Sequence, residues 1–180
     1  NMIPDWPEYQ SAREAILGRT GHDEQLAQSL SRANSVLGFA LDDEIVGEVP
    51  SLKAGLVRAG DPPDPFLPAF AGGISALPLL TEAAEGYGAC SLVPDSDGVV
   101  RRASMLVSVA GKVLPTLDAE ALRVAQAAST YIVKSTNASG EQSFGAPGGV
   151  VGVKIGGLTV PTDEQGRIWI RYSNQPFDAI

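Results

Sequence analysis

The densest set of chemically capable side chains in this sequence is Asp95-Ser96-Asp97-Gly98-Val99-Val100-Arg101-Arg102. Two carboxylates precede two guanidinium groups within eight residues. Consecutive strand residues point to opposite faces, so one of the two arginines must face inward, where it needs a partner. Asp95 or Asp97 can supply one across the intervening turn, stapling the segment. The same guanidinium groups could instead grip a ligand carboxylate or phosphate through paired hydrogen bonds. Both readings stay open. Asp163 and Arg167, four residues apart near the C-terminal end, complete the set of candidate ligand or ion-pair residues.

Other constellations fall short of a chemical signature. Asp95-x-Asp97-Gly98 begins like a calcium loop, but the twelfth position, where a bidentate Glu is required, is Leu106. The pattern therefore reads as a turn, and Asp-Gly is a hairpin signal. The segments around Gly72-Gly73 and Gly145–Gly152 match neither a phosphate loop nor a dinucleotide fingerprint. The single histidine, His22, stands at a helix start with no GxSxG nucleophile motif to serve. The single cysteine, Cys90, lies in an apolar run and reads as a buried, inert thiol. The acidic groups at 42–44 and 163–164 sit at strand ends or turns, where carboxylates are ordinary. No catalytic residue, metal site or cofactor is expected, and this segment does not read as an enzyme.

Composition narrows the partners. The chain has 180 residues, 13 basic against 21 acidic, for a net charge of −8. Nucleic acid is a poor partner for such a surface, because phosphate contacts need a basic face. One cysteine excludes an intrachain disulfide and a cysteine-based zinc cluster. No signal-peptide core and no apolar run of membrane-spanning length occurs. The piece reads as an excised segment of something longer. The 20 glycines and 13 prolines point to a loop-rich domain.

The elements that must position these residues follow from periodicity. Helices are predicted over 6–17, from Asp23 as N-cap to about 33, over 77–84, and from Thr116 as N-cap to about 125. Strands are predicted over 35–41, 88–93, 99–109, 113–115, 150–155, 158–160 and 167–172. Gly156-Gly157 marks a two-residue hairpin turn. Residues 42–75 read as a long irregular, Pro-rich insertion with one short strand near 52–57, and 134–149 as a polar loop. The predicted class is mixed α/β: a single domain over 1–180 with one central mixed, largely antiparallel sheet and helices packed on it.

These segments together resemble the type-2 CHASE domain, the cyclases/histidine-kinases associated sensory extracellular domain. The resemblance rests on Leu79-Leu80 and its helix, on the run from Gly86 to Arg102, and on Met105-Leu106-Val107. It continues through Leu114-Pro115-Thr116-Leu117 and Glu120-Ala121-Leu122 to the closing run from Val160 to Tyr172. The Asp23 helix followed by the strand ending at Leu41 is also similar to the family, so most of residues 23–177 is covered. Residues 1–18 fit no family motif. The resemblance implies an extracytoplasmic, periplasmic sensory domain of a bacterial inner-membrane receptor. It implies flanking membrane helices and a cytoplasmic adenylate or guanylate cyclase, or a kinase, as output. The signal is an unknown small molecule or protein, and a homodimer is expected in the parent. A structural dimerisation module without a small ligand, and a stand-alone hydrolase, are the competing readings.

Overall fold

The computed structural model describes residues 21–44, 48–139 and 148–173. The helix predicted over 6–17 lies outside them. Among the described residues, three helices appear: α1 (His22–Leu30), α2 (Pro78–Ala83) and α3 (Leu117–Ala125). The strands are β1 (Val36–Asp42), β2 (Gly55–Ala59), β3 (Ala69–Phe70), β4 (Gly72–Ile74), β5 (Gly86–Ala89) and β6 (Arg102–Ser104). They continue with β7 (Leu106–Val109), β8 (Lys112–Pro115), β9 (Thr130–Ser135), β10 (Val150–Ile155), β11 (Leu158–Pro161) and β12 (Arg167–Trp169).

The class is mixed α/β, as the periodicity predicts. The expected single sheet is instead divided into four hydrogen-bonded groups, β4-β1-β5, β3-β7-β8, β11-β10-β9-β2 and β12-β6. A parallel bridge from Ala89 to Thr116 joins the first group to the end of the second. Five of the eight strand pairs are antiparallel; β1 with β5, β2 with β9 and β3 with β7 are parallel.

The division has local causes. The strand predicted over 99–109 breaks at Met105, whose N–H donates to the Gly166 carbonyl and whose carbonyl accepts from Thr116 N–H. Before the break β6 pairs with β12; after it β7 pairs with β3 and β8. All four β7 residues are buried, so its alternation of Val and Ser does not mark a wet face. Leu106 joins a core with Tyr131, Val133, Val153 and Ile155, while Val107 and Val109 join a second with Phe39, Tyr87 and Leu114. The Asp95–Gly98 segment is a tight turn, with Gly98 N–H donating to the Asp95 carbonyl at positive φ. It is not a hairpin, because β5 pairs with β1 and β6 with β12.

Residues 42–75 are less irregular than expected: β2, β3 and β4 each enter a different sheet. The polar loop predicted from 134 begins later, because Lys134 and Ser135 belong to β9, the strand between β10 and β2. The Gly156-Gly157 hairpin is present between β10 and β11. Gly21, and not Asp23, caps α1; Asp23 and Glu24 lie in its first turn, near the positive helix end. Thr116 precedes α3, but its hydroxyl donates back to the Ser104 carbonyl at 2.7 Å and makes no capping bond.

Helix α3 lies directly on β5, and glycine permits this. A Cβ at Gly88 would stand 2.7 Å from both Leu117 Cα and the Thr116 carbonyl oxygen, which are backbone atoms that cannot swing aside. We predict that Gly88→Ala costs about 1–3 kcal/mol in a denaturant melt, as overpacking does. Gly157→Ala, at an open position without positive φ, should shift the midpoint little.

Candidate functional site

The structure brings all six singled-out charged residues into one network, held by the Asp95–Gly98 turn, β6 and the turn before β12. Arg101 clasps Asp97 with two parallel bonds, Nη1 to Oδ1 at 2.9 Å and Nη2 to Oδ2 at 2.8 Å. It also reaches Asp95 Oδ2 at 3.4 Å. Arg102 donates from Nε and Nη2 to Asp95 Oδ1 and from Nη1 to Asp163 Oδ2 at 3.3 Å. Its guanidinium carbon lies 5.4 Å from the centroid of the Trp169 ring. Asp163 accepts from the backbone N–H groups of Gln165 and Arg167 and from Arg167 Nε, at 3.0, 2.9 and 3.0 Å. The network therefore ties β6 to the turn that leads into β12.

The electrostatics match. Paired hydrogen bonds from Arg101 and a backbone bond from Val99 hold the Asp97 carboxyl down to about 2. Asp95 is lowered chiefly by hydrogen bonding to Arg102. Burial works against ionised Asp163, but the backbone donors and Arg167 outweigh it and leave its carboxyl below the usual range. Among the described residues no three His, Cys, Asp or Glu side chains converge as metal ligands.

Two features carry no motif in the sequence. The first is a buried charge cluster. Glu120 is fully buried. Its Oε1 accepts from Arg123 Nη2 at 2.9 Å and from the Tyr87 backbone N–H at 3.2 Å. Its Oε2 accepts from Arg123 Nε at 3.0 Å and from the Tyr131 hydroxyl. Arg123 also donates to the carbonyls of Ala128 and Glu85. Glu120 and Arg123 are one helical turn apart, a spacing ordinary on wet faces, and only the apolar neighbours Ala119 and Val124 hint at burial.

The second is a cleft of about 660 Å³, within the usual size of small-molecule sites. Residues 48–53 form one wall, and 74–78 with Thr81 and Glu82 form the other. Tyr87 lines it from β5. The Tyr87 ring stacks on Phe39 of β1, centroids 5.3 Å apart, and its hydroxyl accepts from Ala76 N–H at 2.7 Å. Tyr87 thus touches the cleft with its side chain and the Glu120 cluster with its backbone. Sequence reading passed over it because a lone tyrosine between two glycines has no spacing signal.

The remaining candidates are placed plainly. His22 is exposed at the first residue of α1. Cys90 is exposed and not buried as expected, because β5 ends at Ala89; its thiol donates to the Phe39 carbonyl at 3.1 Å.

Both charged groups generate tests. Glu120→Ala strands Arg123 in the core and should cost about 3–5 kcal/mol. Tyr131→Phe removes one neutral donor and should cost about 1–3 kcal/mol at pH 7, by urea melts. Burial, then the hydrogen bond to Glu120, push the Tyr131 hydroxyl far above its ordinary 10.0. An unfolded tyrosine releases its proton first, so the folded chain should lose stability as pH rises above about 10, and Tyr131→Phe should flatten that loss. For Asp97 the sign is opposite: its contribution is present above the ordinary 3.8 and lost as pH falls through about 2. Carboxyl NMR titration should find that value, and Arg101→Gln should return it toward 3.8.

No described helix is long and apolar enough to cross a membrane. No curated protein and no solved structure matches the chain significantly. The family model of the CHASE2 domain matches residues 4–180, which extends the likeness read from the motifs back to the chain's beginning. With that coverage, the chain belongs to the CHASE2 domain family, a family of sensory extracellular domains.

Proposed function

We propose that this chain is the extracytoplasmic signal-input domain of a bacterial inner-membrane receptor, facing the periplasm. Its cytoplasmic output is an adenylate or guanylate cyclase, or a kinase. Family membership over residues 4–180 is the observation that carries this reading. The cleft beside β4 and α2 supports a small-molecule signal over a scaffold without a ligand, because polar and apolar groups converge on one concavity. A ligand there works by differential contact: it shifts the population of two conformations that the flanking membrane helices relay. The receptor works as a homodimer in this reading, since paired output domains call for a symmetric interface. The six-residue Asp–Arg network serves as a clamp between β6 and the β12 turn, its acids and bases satisfying one another.

Two measurements in the parent receptor test this. A reporter enzyme active only outside the cytoplasm, fused directly after this segment, should be active. Replacing residues 21–173 by a flexible linker should change the basal output of cyclic nucleotide or phosphoryl transfer. A silent reporter, or an output indifferent to the replacement, sinks the reading.

A further inference from the structure

The cleft that supports the sensor reading also has a chemical preference, and the argument that follows rests on that reading. Its lining holds two carboxylates, Glu48 and Glu82, both exposed and neither engaged in a hydrogen bond or ion pair among the described residues. One cation, Lys53, lines it as well. That ammonium forms an ion pair with neither carboxylate. It donates to the backbone carbonyls of Glu82, at 3.2 Å, and Ala84, at the C-terminal end of α2. Cations are favoured there by the helix's negative end.

Several of the donors an anion would use are already engaged: Lys53 on two carbonyls, the Ser75 hydroxyl on the Glu48 carbonyl and the Thr81 hydroxyl on the Pro78 carbonyl. No arginine lines the cleft. In the first turn of α2, Pro78 has no N–H, and Leu80 and Thr81 donate to the Leu77 carbonyl. The wall between the charges is apolar, with Leu52 and Leu77 contributing. One donor stands out because it is buried. The Tyr87 side chain is buried at 5% exposure, its oxygen accepts from Ala76 N–H, and its own proton meets no acceptor among the described residues. A neutral acceptor on a ligand would satisfy it.

We propose that the cleft binds a small organic cation: an ammonium group set against Glu48 and Glu82, an apolar body on Leu52 and Leu77, and a neutral hydrogen-bond acceptor at the Tyr87 hydroxyl. Binding bears on the interior through one residue. The Tyr87 backbone N–H donates to Glu120, so a ligand that repositions Tyr87 acts on the buried cluster and on α3.

The test uses three probes with one phenol body and different ends: tyramine, with an ammonium; tyrosol, with a hydroxyl; and 3-(4-hydroxyphenyl)propionate, with a carboxylate. Each is titrated into the full chain by calorimetry up to about 10 mM, the range in which fragments of this size bind. Tyramine should bind about fivefold or more tighter than tyrosol, the propionate weakest, with the gap closing at 1 M salt, roughly the limit for exposed charge pairs. Glu82→Gln and Glu48→Gln, surface changes that leave the fold intact, should each weaken tyramine by about two- to fivefold and leave tyrosol unchanged. Tyr87→Phe should weaken all three. A preference for the propionate, a tyramine affinity indifferent to both glutamates, or no binding by any probe overturns the proposal. None of these outcomes touches the reporter and output measurements of the receptor. Conversely, a receptor indifferent to loss of the domain would leave a tyramine preference standing.

Discussion

A fully buried carboxylate organises this molecule. Taking Glu120 out of water costs several kcal/mol after relaxation, and the cost is tolerable only when every lone pair finds a donor. Four donors converge: two from Arg123, one from the Tyr131 hydroxyl and one from the Tyr87 backbone. They come from α3, β9 and β5, so the placement of those elements is one problem with one solution. Helix α3 must lie close enough to β5 for a backbone N–H to reach the carboxylate. A Cβ at Gly86 would stand 2.7 Å from Glu120 Oε1, and one at Gly88 would strike the start of α3. The Gly-Tyr-Gly of β5 is thereby explained by a charge more than thirty residues away.

Part of the fold was legible in the sequence, and what was not has physical reasons. The Gly156-Gly157 hairpin was legible because turn chemistry is local. The Asp–Arg network was legible in membership, since opposite charges a turn apart invite pairing, but its reach to Asp163 is a tertiary fact. Strand β9 was missed although Tyr131, Val133 and Ser135 point inward with a period of two. Its β-branched and aromatic run was the available signal, and its position directly after a helix obscured it. The break at Met105 was invisible because alternation cannot report a change of hydrogen-bond partner. The cleft was invisible because its walls come from residues far apart in sequence, none of a type that announces a site.

The two charge groups divide the work of specification. The Asp–Arg network is partly exposed, with 53% of the Asp97 side chain and 43% of Arg101 open to solvent. Salt screens such pairs, and their worth lies in fixing which turn sits beside which strand. The Glu120 cluster is dry and fixes depth and distance. Between them lies a fold that belongs to a sensory family and places a cleft beside Tyr87, the residue that reaches both the cleft and the buried cluster.

Strand β7 has a consequence of its own. Its four residues are buried, and the neighbours Leu106 and Val107 feed different cores. A slip of one residue would exchange the contents of the two cores, placing Val107 where Leu106 belongs. Such a slip is costly, and the strand is held by β8 along all four residues and by β3 beside Ser108 and Val109. A change of volume or shape in either core is therefore met by the same four residues, so neither core can be repacked without regard to the other.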